Sequence, residues 1–218
     1  MRLSPPLICV LTRARGDRGS PERTHLIARL SAAAAAGASM IQIRERQMDD
    51  RTLLDFTCEL IAATRHTSCL VTLNDRVDIA LAAAANGVHL KSDGFTAADI
   101  RRITSQDLVI GRSVHSTTEA IQAQEDGGYD YIFFGTVFPS ASKPADHPIA
   151  GLEALRQVCS QVSLPVVAIG GITPSRADTV ATAGASGAAA ISVFAEARDT
   201  AEAVEALRAA LTRSRGRV

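Results

Sequence analysis

Short apolar runs of four to seven residues alternate along this chain with longer stretches of helical period, and the alternation repeats about eight times. The strand-like runs are Leu7 to Leu11, Ser39 to Arg44, Cys69 to Leu73, Gly87 to Leu90, Leu108 to Ser113, Tyr129 to Phe134, Pro165 to Ile169 and Ala188 to Ser192. Between them the helical period runs from Pro21 to Gly37, Asp49 to Arg65, Arg76 to Ala85, Ala97 to Ile103, from Ser116 or Thr117 onward, Leu152 to Cys159, from Pro174, and Thr200 to Thr212. Strands separated by helices pair in parallel, because each crossover consumes a dozen or more residues. Eight such units in 218 residues leave about 27 residues each, enough for a compact α/β fold, a single (β/α)8 TIM barrel spanning residues 1–218. A doubly wound open sheet is the alternative; polar residues gathered just after the strands favour the barrel, whose site is built from its βα loops.

Charge and cysteine usage narrow the function classes. Lys plus Arg equals Asp plus Glu at 23 each, so no global field draws nucleic acid or an anionic membrane, and an anionic ligand must be met locally. No apolar run approaches the roughly 20 residues that span a bilayer, and the N-terminus, broken by Pro5 and Pro6, does not read as a secretory signal. Cys9, Cys58, Cys69 and Cys159 are widely spaced in apolar surroundings with no metal-ligand spacing, which reads as buried thiols in a reducing cytoplasm rather than disulfides. Arg213, Arg215 and Arg217 read as a solvated basic end.

Four places carry residues suited to chemistry. Gly170-Gly171 ends the seventh strand and Ile191-Ser192 the eighth; consecutive glycines let backbone amides approach a phosphate, a reading that their position in the repeat favours over a tight turn alone. In the second strand, alternation puts Gln42, Arg44 and Arg46 on one face and Ile41 and Ile43 on the other, so guanidinium groups face the mouth or form structural ion pairs. Beyond Ser113, at the end of the fifth strand, His115 has the residue type that takes and returns a proton near neutrality. Ser140, Ser142 and Lys143 cluster in the irregular stretch from Thr136 to Pro148 and suit a phosphate or carboxylate. Asn74 and Asp75 follow the third strand, where Asp75 either ligates Mg²⁺ or caps the next helix.

The strings Q-I-R-E-R from Gln42, L-N-D-R-V-D-I-A-L from Leu73, G-V-H-L from Gly87, G-R-S-V-H-S from Gly111, D-Y-I-F-F-G-T-V-F from Asp130, S-A-S-K from Ser140, G-L-E-A-L from Gly151 and A-I-G-G-I-T-P from Ala168 together resemble the family of thiamine phosphate synthases and TenI-type thiazole tautomerases. The synthases join a pyrimidine pyrophosphate to a thiazole phosphate with Mg²⁺, held by an Asp after strand three and an acidic residue after strand four. Asp75 matches the first; Lys91-Ser92-Asp93-Gly94 puts glycine at the second, with Asp93 one residue early, and Arg46 replaces a lysine. These departures, with I-R-E-R and S-D-G-F, make the resemblance closest to the tautomerase branch.

That resemblance implies an isomerase of thiamine biosynthesis, a thiazole tautomerase in which His115 moves the proton that aromatises a carboxythiazole phosphate. The substrate would be held by Gln42, Arg44, Arg46, Asn74, Ser113, Ser140, Ser142, Lys143, Gly170, Gly171, Ile191 and Ser192. No cofactor is expected for this reaction; the alternative is a synthase using Mg²⁺ at Asp75 and Asp93, and a third reading is a catalytically silent, phosphate-binding regulatory barrel. Expected partners are the thiazole phosphate carboxylate and a second copy of the chain, with neither nucleic acid nor membrane.

Overall fold

The computed structural model describes residues 3–12, 19–140, 144 and 146–215. Its eight strands are β1 (Leu7–Leu11), β2 (Met40–Ile43), β3 (Leu70–Asn74), β4 (Gly87–Leu90), β5 (Val109–Val114), β6 (Tyr131–Phe134), β7 (Val166–Ile169) and β8 (Gly187–Ala190). All neighbours pair in parallel in sequence order, and β8 returns to β1 through Leu7 opposite Gly187 and Val10 opposite Ala190, so the sheet closes. The open-sheet alternative is thereby removed, and the fold is a (β/α)8 TIM barrel.

The helices are α1 (Pro21–Ala35), α2 (Asp50–Thr64), α3 (Val77–Ala82), α4 (Ala97–Ile103), α5 (Thr117–Asp126), α6 (Gly151–Gln161), α7 (Pro174–Thr182), α8 (Ser192–Ala195) and α9 (Thr200–Arg215). Their starts follow from side chains that take up orphan N–H groups. Ser20 accepts from the N–H of Arg23, Asp49 from that of Thr52, and Thr96 and Asp99 close a reciprocal capping box on α4. Ser116 caps α5 by accepting from Glu119 N–H, but the Glu119 carboxylate reaches one residue further back and accepts the N–H of His115 at 2.9 Å.

Period-two alternation divides the strands into two cores. Ile8, Val10, Ile41, Ile43, Val71, Leu73, Val88, Leu90, Ile110 and Ile132 face outward and pack under the helices. Leu7, Cys9, Leu11, Met40, Leu70, Val109, Tyr131, Phe133, Val167 and Ala189 fill the barrel. Because both faces are buried, the strands read as nearly continuous apolar runs, and each fully buried Leu or Ile contributes about 1.5–3 kcal/mol. Polar side chains interrupt the interior set at Gln42, Thr72 and His89, all buried.

Several sequence boundaries shift for local reasons. The eighth run, expected to extend to Ser192, leaves extended geometry at Ile191 (φ −107°, ψ −66°), and Ser192 opens the unanticipated α8. Strand β2 ends at Ile43, so Arg44 and Arg46 belong to the following loop. The four cysteines are free, but Cys58 is exposed rather than buried, because it lies on the opposite face of α2 from Leu53, Phe56 and Leu60. Among the described residues no helix is long and apolar enough to cross a membrane.

Candidate active site

At the C-terminal ends of β2, β3 and β4 a chain of polar contacts crosses the barrel mouth. Gln42 Nε2 donates to Asn74 Oδ1 at 2.9 Å, and Asn74 Nδ2 donates to Asp75 Oδ2 at 2.7 Å. The other carboxylate oxygen of Asp75 accepts the backbone N–H of Lys91, at the end of β4, at 2.8 Å. Asp75 adopts φ +60°, a left-handed conformation that Asp tolerates better than most residues, and its own N–H is bonded to the carbonyl of His89. The side chain is thus held toward the mouth by two neutral donors. It does not cap α3, whose first residues make no side-chain cap.

Arg44 stands beside this chain. Its backbone N–H donates to Thr12 Oγ1, and the Thr12 hydroxyl donates to Glu45, fixing the β2 loop to the end of β1. Desolvation and the neighbouring Arg46 lower the pKa of the half-buried Arg44 guanidinium, while Asp75 and Glu45 oppose the shift. A cation so placed gains most from an incoming anion. Arg46 is exposed. Asp93 lies in the loop after β4, its side chain 80% exposed and 3.6 Å from Lys91 Nζ. Among the described residues there is no cluster of three or more His, Cys, Asp or Glu able to hold a metal.

On the β5 side, Ser113 Oγ lies 2.9 Å from Nε2 of the fully buried His89, whose Nδ1 lies 3.1 Å from the phenol of Tyr131. His115, two residues on, is exposed; its Nδ1 lies 2.7 Å from the carbonyl oxygen of Gly135, so that nitrogen carries the proton and donates, leaving Nε2 free. The hydroxyl of Thr136 lies 3.1 Å from Nε2 of His147, which brings a second histidine to the same loop.

The β6–α6 loop lies directly on the glycine pair. Val137 and Phe138 N–H groups donate to the carbonyls of Ile169 and Gly170. A Cβ on Gly170 would stand 2.5 Å from Thr136 Cγ2, and one on Gly171 would stand 2.3 Å from the carbonyl oxygen of Pro139. Gly170 (φ +99°) and Gly171 (φ +61°) therefore meet both a conformational and a packing demand. Ile191 packs on the barrel interior and Ser192 begins α8. Ser140 lies half-buried at the loop's end, while Ser142 and Lys143 fall outside the described residues.

The polar chain thus brings Gln42, Asn74 and Asp75 together with Arg44, and Gly170 and Gly171 lie against the loop that leads to Ser140. Sequence reasoning missed His89, Tyr131 and Arg112. Arg112 donates to the carbonyl of Ser92 at 2.7 Å and to the Tyr129 hydroxyl, bracing the loop that carries Asp93. The available signal was a polar residue at an inward strand position, His89 between apolar neighbours.

Residues 10–194 match the family model described as thiamine monophosphate synthase, TMP-TENI. The thiamine-phosphate synthase of Moorella thermoacetica is 40% identical over 186 residues, covering 85% of this chain and 88% of the relative. That of Chlorobium phaeovibrioides is 39% identical over 204 residues, covering 94% and 93%. The solved thiamine phosphate pyrophosphorylase from Pyrococcus furiosus superposes with a TM-score of 0.81 at 35% identity, covering 95% of this chain and 96% of the other. These matches overturn the expected isomerase: the relatives are synthases, transferases rather than tautomerases, and the short motifs around Arg46 and Asp93 misled. The weight given to those two positions was misplaced, because both side chains are exposed in loops, whereas Gln42, Asn74 and Asp75 are knit into the barrel rim. The chain belongs to the thiamine monophosphate synthase (TMP-TENI) family.

Proposed function

We propose that this chain is a thiamine-phosphate synthase acting in the cytoplasm, a compartment that suits its four free thiols. It joins a pyrimidine pyrophosphate to a thiazole phosphate: the thiazole nitrogen forms a bond to the methylene carbon of the pyrimidine, and the carbon–oxygen bond to pyrophosphate breaks, its electron pair leaving with the phosphate oxygen. The observation that carries this reading is the Asp75 carboxylate, half-buried at the mouth and fixed by the neutral N–H donors of Asn74 and Lys91.

Magnesium typically takes one or two carboxylates together with substrate phosphate oxygens and water. Asp75 fits that demand, since each oxygen keeps a lone pair beyond its single hydrogen bond, and Asp93 supplies a second carboxylate in the next loop. When bound there, the ion neutralises charge developing on the pyrophosphate.

The chain's own residues do the rest. Gln42 Oε1 is buried without a hydrogen-bond partner and is available to accept from the amino group of the pyrimidine, with Asn74 and Ser113 completing that pocket. Arg44 and Arg46 offer forked N–H donors to the pyrophosphate. Ser140 stands at the end of the loop that lies on the glycine pair, and the amides of Gly170, Gly171, Ile191 and Ser192 hold the thiazole phosphate, where barrels commonly bind one after strands seven and eight. His115 presents its free Nε2 beside the β6 loop.

The test is incubation of purified chain with both substrates and Mg²⁺, with thiamine phosphate and pyrophosphate quantified. Formation of both in equal amounts, lost in EDTA and restored by Mg²⁺, supports the reading. No product from cooperatively folded protein overturns it.

A further inference from the structure

Tyr131 and His89 are interior polar side chains for which the coupling chemistry above has no use, and both are buried. The phenol reaches His89 only because position 111 on β5 is glycine: a Cβ there would stand 2.1 Å from Tyr131 Cζ and 2.5 Å from its hydroxyl oxygen. Phe133 completes the enclosure, its ring centroid 4.2 Å from that of the imidazole. A phenol and an imidazole in so dry a place each hold one proton, and both must be given to an acceptor.

The direction of those two hydrogen bonds follows from the neighbours. Burial keeps the phenol protonated, and its hydrogen-bonding partner is His89 Nδ1 at 3.1 Å. The Thr72 hydroxyl, which has no other partner, also faces the phenol oxygen; donating to it, Thr72 leaves the phenol proton for Nδ1. Burial, with Arg44 nearby, holds the imidazole neutral. A neutral imidazole that accepts at Nδ1 carries its proton on Nε2, and Nε2 faces Ser113 Oγ at 2.9 Å.

We propose that Tyr131 and His89 are positioning residues that form a directed relay, Tyr131 O–H to His89 Nδ1 and His89 Nε2–H to Ser113 Oγ, which turns the Ser113 proton outward to meet a ring nitrogen of the pyrimidine. The relay deepens the synthase reading and rests on it for the identity of the ligand. It makes Ser113 a donor at the mouth rather than an acceptor. The site thereby selects a heterocycle that presents a lone pair at that point over one that presents an N–H.

Two measurements test it. Nitrogen-15 NMR of the whole protein, labelled at histidine and without substrate, is expected to show His89 in the Nε2–H tautomer; an Nδ1–H tautomer overturns the relay whatever the activity. In coupling assays, Tyr131→Phe keeps the ring but frees the imidazole to change tautomer. It is expected to raise KM for the pyrimidine pyrophosphate by about 5-fold, roughly the worth of one oriented hydrogen bond, while KM for the thiazole phosphate stays within about 2-fold. In a Ser113→Ala background the same substitution is expected to change KM by less than about 2-fold. Equal losses in the two backgrounds, or losses shared by both substrates, overturn the proposal in favour of a packing role. An inactive wild type counts against the synthase reading alone, because the tautomer measurement does not depend on turnover.

Discussion

The side chain missing from Gly111 is occupied by Tyr131: the aromatic ring from β6 passes where a Cβ on β5 would be, 2.1 Å from Cζ, and so reaches His89 on β4. Substituting Gly111→Ala forces a methyl group into a filled barrel. Overpacking of this kind costs about 1–3 kcal/mol. Urea denaturation is expected to report that loss for Gly111→Ala, and less of it when Tyr131→Leu is introduced in the same chain. An alanine variant as stable as the wild type would show that the ring is not confined there.

Asp75 and Asp93 separate by how firmly each is held. Asp75→Asn keeps a residue that tolerates φ +60° but sets an NH2 group against the N–H of Asn74 or Lys91, so a stability loss of about 1 kcal/mol accompanies removal of the fixed carboxylate. The coupling rate is expected to fall by about 10²–10³, the usual effect of deleting a preorganised charge-stabilising group. Asp93→Asn, at an exposed side chain, is expected to lose less than about 10-fold. Steady-state assays across a range of Mg²⁺ concentrations decide the order, and a larger loss at Asp93 would reverse the two roles.

How much of this was legible in the sequence depended on whether the signal was local. The barrel was, because parallel strands buried on both faces and spaced by amphipathic helices leave few other arrangements, and β1, β4 and α4 coincide with the expected spans. Helix α8 was not: its four residues carry no period, and only the turn at Ile191 separates it from β8. The polar chain from Gln42 through Asn74 to Asp75 joins residues 32 positions apart, and the Tyr131–His89 contact joins residues 42 apart, so neither pairing had a local signature. The choice between synthase and tautomerase failed for a different reason. It was rested on single substitutions in exposed loops, where a neighbouring residue or a different cation can serve the same anion.

Acid stability should carry the mark of His89. Burial lowers its pKa to about 3 in the folded chain, against about 6.5 when unfolded, so between these values the unfolded state binds one more proton. The sign follows: the contribution is intact above about pH 6.5 and is lost progressively as pH falls toward 3. The expected slope is about 1.4 kcal/mol per pH unit from this group. Denaturation midpoints measured from pH 7 to pH 4 are expected to fall more steeply for the wild type than for His89→Gln, which has no proton to gain. Parallel curves would mean that the folded chain accommodates an imidazolium at this position.

Gly171 tests whether the glycine pair serves the ligand as well as the fold. Its φ of +61° and the Pro139 carbonyl 2.3 Å from an added Cβ mean that Gly171→Ala pushes the β6–α6 loop away from β7. Gly184 provides a comparison of the same physical kind: φ is +98°, and an added Cβ would meet Cys159 at 2.9 Å, in the turn between α7 and β8 at the opposite end of the barrel. Both alanine variants are expected to lose about 1–3 kcal/mol of stability from left-handed strain and contact. Only Gly171→Ala is expected to raise KM for the thiazole phosphate, by about 10-fold or more, because it alone disturbs the amides and the loop proposed to face the phosphate. If both variants raise KM alike, the effect is one of general destabilisation; if neither does, the phosphate does not sit at Gly170 and Gly171, and Ser192 with the β8 end must hold it alone.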